Sequence, residues 1–354
     1  MDAVVSCQSN SFQPTDQELA EPSIHPSIDD LIALVRAQED RIFSHARERA
    51  IDPLTLRTQL LLHLPRLVTA DDFPDERDIQ REILAVSDFL EERRLKYQPE
   101  YTQSLKQPER PLSLGDLEFG PLDENTAKMY HESFHYVGSY RPGRHFAFRD
   151  KNSGRIVCLG SVASFDLGHA EEKIAPDVDP RSVLMLSRFF AFRWAPENTF
   201  SHFHRKLRLQ LIEEFDTKLM FSFINPNLGF NASSHKGAHW TLFAREAGTR
   251  YMYLDGRYRT MRFFVKNYGT SDAAKLKKKL GRSFEVSTID LHPMWLLAIP
   301  LQRRARKAIP TVPYFFQRPE LFASSPAESI VHPAGPSPAE PPITTIPAIV
   351  LAAG

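Results

Sequence analysis

The chain has 354 residues, 42% hydrophobic and 25% charged, with 44 Lys+Arg against 44 Asp+Glu. This is an ordinary soluble balance, and a formal net charge of zero leaves nucleic-acid attraction to local patches rather than to the whole molecule's field. Cys7 and Cys158 are the only cysteines, which argues against a disulfide framework or a cysteine zinc site. The start, MDAVVSCQSNSFQPTDQ, has no signal-peptide pattern and no run reaches the roughly 18 apolar residues of a membrane span, so a cytoplasmic protein without membrane contact is expected.

Residues 1–26 are polar and punctuated by proline, and read as a disordered tail. From 27 to 96 the pattern turns helical. Ser27-Ile28-Asp29-Asp30 opens an apolar stripe through Ile32, Val35 and Ile42, and Ile79, Ile83, Leu84 and Phe89 form another. This helical extension could dimerise or recruit DNA. A linker with three spaced prolines and little periodicity covers 97–112. From 113 to 310 strands dominate: HFAFR, RIVCLGSVASF, SVLMLSRFFAFR, KLMFSFI, TLFAR, RYMYL and YRTMRFFV. Asp150 to Gly154 suits a hairpin loop, and Asp255-Gly256 suits a tight hairpin turn between the last two strands. Helices fit around 200–215 and 271–281. From 311 to 354 prolines recur, and after Arg318 no Lys or Arg occurs, which reads as a second disordered tail. The fold class is therefore α+β, a mixed central sheet flanked by helices, with a helical extension and two tails.

Leu186 to Trp240 is the most informative stretch: strand, polar turn, helix, strand, then a Gly/Asn/Ser-rich loop. Asn198, Thr199 and Ser201 can each cap the helix after the turn, so its first N–H groups and the positive end of its dipole face one point where a phosphate could sit. Phe200, Phe203, Leu207, Leu211, Ile212 and Phe215 give that helix an apolar face whatever the turn binds. In this order of elements the chain resembles GNAT-superfamily acetyltransferases, which hold the diphosphate of an acyl-CoA at such a turn and its pantetheine arm between two splayed parallel strands.

A narrower resemblance rests on Phe134-His135-Tyr136, Leu186-Ser187-Arg188, Asn198-Thr199-Phe200-Ser201 and the Gly229–Trp240 loop, found in this order. Over roughly residues 128–262, about a third of the chain, the sequence is similar to the Mom family, phage Mu-type DNA-modification proteins with a GNAT-like acyltransferase fold. The resemblance implies acyl-type transfer to the N6 amine of an adenine flipped out of double-stranded DNA, from an acyl-CoA donor. Family members carry Asp where this chain has Asn225, and Asn before Trp where it has His239, so His235 or His239 would replace part of the Asp's role.

His135 is the leading acid/base candidate, with Tyr136 as hydroxyl donor or stacking surface for the base. Arg188, inside an apolar strand, needs an ion-pair partner or a ligand phosphate or carbonyl. Asn198, Thr199, Ser201, Asn225, Gly229 and Ser233 are the cofactor-binding candidates, and His235 joins the catalytic set. Lys277, Lys278 and Lys279, then Arg303, Arg304 and Arg306, could track DNA phosphates. Two other readings stand beside this one: an acyltransferase acting on a small-molecule or protein amine, and a degenerate scaffold that binds nucleic acid without turnover.

Overall fold

The computed structural model describes residues 26–69, 72–165, 179–247 and 250–302, and the backbone of 314–317. Helix starts in the first part follow their caps. Ser27 and Asp30 form a capping box at α1 (Ile28–Ala37), and Asp52 accepts from the Thr55 amide at α3 (Pro53–His63). Asp75 and Asp78 form a second box at α4 (Glu76–Lys96). Between them lies α2 (Glu39–Glu48), and α5 (Glu100–Leu105) occupies part of the stretch that looked like a linker. The proline-rich composition there sets the helix boundaries but does not prevent one turn and a half of helix.

The main sheet begins with β1 (Leu117–Leu122), followed by helix α6 (Glu124–Ser133), capped by Asp123. Then come β2 (Arg144–Asp150), β3 (Ile156–Ser164) and β4 (Val183–Ala191). Helix α7 (Thr199–Phe215) leads to β5 (Leu219–Ile224), and the short α8 (Ser233–Gly237) leads to β6 (Thr241–Ala247). A three-stranded sheet is inserted next: β7 (Met252–Leu254), β8 (Arg257–Arg259) and β9 (Phe284–Val286), with α9 (Met261–Tyr268) and α10 (Ala273–Leu280) between the last two. β10 (Met294–Pro300) returns to the main sheet, and the backbone of β11 (Tyr314–Gln317), inside the expected tail, runs parallel to β6.

The main sheet has the order β1-β2-β3-β4-β5-β10-β6-β11 and the small one β8-β7-β9. The first four strands form an antiparallel meander. β4 and β5 are parallel, joined by α7. This is the mixed central sheet with flanking helices expected of a GNAT-like fold, including its strand–helix–strand unit. Helix α7 buries Phe203, Leu207 and Leu211 against Phe148, Leu186 and Met220. Close approach there depends on Gly160: a Cβ at that position would lie 2.6 Å from the Phe203 ring.

One strand expectation is corrected. YRTMRFFV is not one strand, because Thr260 caps a helix, accepting from the Phe263 amide, and Met261 onward coils with Phe264 buried against Phe284. The Asp255-Gly256 turn does form, with both residues at positive φ (51° and 69°) as a tight hairpin requires. The N-terminal helices are not a free extension. Their core includes Leu228, Tyr251 and Tyr253, and the Tyr253 hydroxyl donates to Leu62 O at 3.0 Å. Ile32, Val35, Ile42, Ile79 and Ile83 of the apolar stripes are buried in this core, while Leu84 is left exposed.

Candidate active site

The site opens where the parallel pair parts. β4 and β5 are in register only over Val183–Met185 and Leu219–Phe221, after which β4 runs on to Ala191 and β5 to Ile224. The Ser222 hydroxyl donates to Leu186 O at 3.3 Å, just beyond the last paired residues. Past that point lies a cavity of about 360 Å³, walled by β4, the end of β5, the 229–235 loop, His135-Tyr136 and helix α3.

At the mouth of the opening, α7 begins without a side-chain cap. Asn198 adopts the left-handed conformation (φ 61°) and its side chain makes no hydrogen bond to the helix start. The Thr199 hydroxyl donates to Pro196 O at 2.6 Å instead. Neither residue caps the helix as the turn chemistry suggested; strain in the turn decides this. The Thr199 amide also donates to Pro196 O, at 3.3 Å, so the Phe200 and Ser201 amides are the ones turned to a ligand, and the helix dipole adds a positive end to them. Ser201 faces α8, its Oγ 3.8 Å from where a Gly237 Cβ would be. Gly229 and Ala232, both at positive φ, bend the 229–235 loop over the opening. Ser233 starts α8 with its amide donating to Asn231 Oδ1 at 3.0 Å.

His135 is buried and stacks on the Tyr136 ring at 4.5 Å. Burial first, then the nearby Arg188 cation and His131, hold its pKa well below the usual histidine value, so the ring is neutral. The Val137 amide donates to Nδ1 at 3.2 Å, which leaves the hydrogen of the neutral ring on Nε2. In this geometry His135 offers a hydrogen rather than a lone pair. Of the acid/base work expected of His135, this arrangement suits the acid side, and a local turn contact is the reason. Tyr136 is held in place through its backbone oxygen, which accepts from Gln59 Nε2.

Arg188 lines the cavity, and its Nη1 donates to Ser187 O at 2.7 Å. Asn225 also lines it, but its amide is committed: Nδ2 donates to the Tyr251 hydroxyl at 2.9 Å and Oδ1 accepts from the Asn227 amide and side chain. It anchors the end of β5 to the small sheet. His235 is buried between Phe200 (4.3 Å) and Trp240 (5.4 Å), and burial lowers its pKa to about 4. His131, Ser161, His145 and Tyr140 form a hydrogen-bonded row behind His135, at 2.6, 2.6 and 3.1 Å. Among the described residues no group of three His, Cys, Asp or Glu is arranged to hold a metal ion.

Lys277, Lys278 and Lys279 lie away from these residues, on α10. Lys277 Nζ donates to Phe284 O at 2.9 Å and Lys279 sits over the Tyr268 ring, while Lys278 is exposed. Arg303, Arg304 and Arg306 lie outside the described residues.

The reading of the sequence missed the α3 wall: Leu54, Thr55, Arg57 and Thr58 line the cavity, and Thr55 Oγ1 donates to Phe134 O at 2.6 Å. A signal existed. PLTLRTQLLLH carries five leucines and a proline with one formal charge, Arg57, the mark of a helix buried between two layers rather than on a surface.

No family model matches this chain, and no curated protein matches it. Solved structures similar to it in arrangement include the ribosomal-protein-S5-alanine acetyltransferase from Vibrio fischeri, at 6% identity and TM-score 0.32 over 54% of this chain and 97% of that one. Another is the aminoglycoside N(6')-acetyltransferase from Legionella pneumophila, at 8% identity and TM-score 0.31 over 54% and 96%. A Salmonella typhimurium protein described with its cofactor acetyl-CoA matches at 7% identity and TM-score 0.32 over 56% and 99%. The strand order and the parted β4–β5 pair stand independently of these likenesses. No helix among the described residues is long and apolar enough to cross a membrane.

Proposed function

We propose that this protein is an N-acyltransferase that moves an acyl group from an acyl-CoA to an uncharged amine. The observation that carries this reading is the opened β4–β5 pair beside a helix start with no side-chain cap. The N–H groups at the start of α7 suit a diphosphate, and the gap between the strands suits an extended arm. The donor supplies an activated acyl carbon. The amine nitrogen bonds to the acyl carbon as its bond to sulfur breaks, and the proton the nitrogen loses ends on the departing CoA thiolate. Nε2–H of neutral His135 stabilises the negative charge carried meanwhile by the acyl oxygen, and α3 walls the chamber.

The acceptor's charge follows from the wall composition. The 25 residues lining the cavity include Arg57 and Arg188 but no Asp or Glu. A protonated alkylamine would meet a like charge and no counter-ion, which is costly away from water. An exocyclic aromatic amine is uncharged and keeps its nitrogen hydrogen-bonding without a base. Its ring has Tyr136 and Phe230 to stack on, themselves 5.8 Å apart. Adenine N6, the acceptor that the Mom resemblance implies, belongs to this class, and DNA carrying a flipped adenine is our finer reading. The exposed Lys278 is a candidate contact for its backbone. An acyl-CoA donor and a chain with two cysteines fit a cytoplasmic setting.

The test is twofold. Purified protein with acetyl-CoA should release thiol faster when an arylamine is added than when spermidine is added. DNA from expressing cells, digested to nucleosides, should contain an adenosine of raised mass. Thiol release stimulated only by spermidine-like amines would overturn the uncharged-amine reading, and unmodified DNA would overturn the adenine one.

A further inference from the structure

Arg188 stands where a guanidinium should not be left alone. Opposite it, β3 and β4 slip register: Ser161 pairs with Arg188 but Val162 pairs with Leu186, so Ser187 is an extra residue. The bulge resets the alternation of side chains. Phe189 points to the α7 face, edge-on to Phe200 at 4.8 Å, while Phe190 points to the other face, stacked on Phe134 at 5.6 Å. Arg188 therefore shares the face of Phe190, across the sheet from the start of α7.

On that face the guanidinium has one protein bond, to its neighbour's carbonyl. Its Nε is buried without a partner, and among the described residues no carboxylate pairs with it. The ionisable groups near it are the phenols of Tyr136 and Tyr258, both kept neutral by burial, and the cation of Arg262. Arg57, the other guanidinium at the cavity, is matched by Glu39 at 3.0 Å; Arg188 has no such match. A half-buried cation whose Nε has no partner, facing a cavity without acids, is stabilised when an anion completes it.

We propose that Arg188 is an oxyanion-binding subsite for the acyl acceptor, so that the acceptor amine belongs to a molecule bearing a phosphate or a carboxylate. This rests on reading the chamber as the acceptor's site. Because the subsite lies on the face opposite α7, it is separate from the seat of the donor's diphosphate. One anion cannot serve both. Fork-like bonding would orient the acceptor ring against Tyr136, with the Tyr136 phenol as a further donor.

The experiment uses the full chain without any donor, so it is independent of whether acyl transfer occurs. Phenyl phosphate, benzoate and benzamide are titrated by calorimetry into wild type, Arg188→Gln and Arg188→Lys. The ring is common to all three, and only the charge and its geometry change. Wild type should bind at least one anion roughly tenfold or more tightly than benzamide, Arg188→Gln should lose that preference, and Arg188→Lys should keep part of it. Tighter phenyl phosphate assigns a phosphate-bearing acceptor and tighter benzoate a carboxylate-bearing one; either result supports the subsite. Equal binding of benzamide, no binding of either anion at millimolar concentration, or an Arg188→Gln protein that keeps the preference would overturn it. Should Arg188→Gln fail to fold, benzoate and benzamide are compared on wild type saturated with CoA, whose diphosphate fills the α7 seat; a preference for benzoate that persists supports the subsite and one that vanishes overturns it. Anion binding without thiol release would leave the subsite standing and remove the acyltransferase reading instead.

Discussion

On one face of β4, Leu184, Leu186, Phe189 and Ala191 pack with α7 into the apolar core; on the other, past the Ser187 bulge, Arg188 faces the cavity with no acid beside it. The same strand thus builds a dry interface and a charged chamber wall, a few ångströms apart. The first face stabilises the fold and tolerates no polar intrusion. The second costs stability, since a desolvated guanidinium is unfavourable without a counter-charge. A chain keeps such a cost where a ligand relieves it, which is why function is sought on the second face and stability on the first.

Several changes separate the faces, and the largest acts on the packed one. Phe203→Ala removes a fully buried ring that touches Phe119, Phe148 and Phe189, and should cost about 3–5 kcal/mol in chemical denaturation while the site residues are untouched. A loss under about 1 kcal/mol would mean that α7 is not bound to the sheet through this ring. On the chamber side, His135→Ala should lower kcat by about 10²-fold with a small change in melting temperature, and His135→Gln, which keeps an N–H, should recover part of it. A melting temperature that falls as far as in the Phe203 variant would place His135 in the packing instead.

Acid should unsettle both faces. His63, His204 and His235 have their pKa lowered to about 4 by burial, and His131 to about 3. A histidine whose folded pKa is depressed leaves stability intact above its unfolded value near 6.5. Stability is lost as pH falls from there towards the folded value, because the unfolded chain takes up the proton first. At pH 5 each of these residues should cost about 2 kcal/mol, so melting temperature should fall steeply between pH 7 and 5. A flat profile over that range would show that the rings are not buried as described. The smallest effect is the most discriminating: Ser201→Asp puts a negative charge at the start of α7. It should stabilise the helix by about 0.5 kcal/mol through the dipole, yet weaken binding of CoA by calorimetry. If both stability and CoA affinity rise, the diphosphate sits elsewhere.

Much of this was legible in the residues. Ser27-x-x-Asp30 and Asp75-x-x-Asp78 name their helix starts, Asp255-Gly256 names its hairpin, and the spacing of Phe203, Leu207 and Leu211 names the buried side of α7. The strand–turn–helix–strand order pointed to the parted pair. Other features were not legible. YRTMRFFV alternates like a strand, but a cap at Thr260 and the pull of the small sheet's core turned it into helix. Which side of acid/base work His135 suits was not legible, because its tautomer depends on the Val137 amide, a matter of one turn's geometry. Asn225 looked like a ligand contact because nothing nearby in sequence announces Tyr251 as its partner.

What the sequence determined by itself was therefore local: where helices begin, which faces are apolar, and the class of sheet, because caps, turns and periodicity act over a few residues. Only the tertiary structure decided that α3 roofs the cavity, that the start of α7 lacks a cap, and that Arg188 has no acid partner. The surroundings of a charge are set by residues from distant parts of the chain, and electrostatics in a dry cavity depends on those surroundings more than on the residue itself.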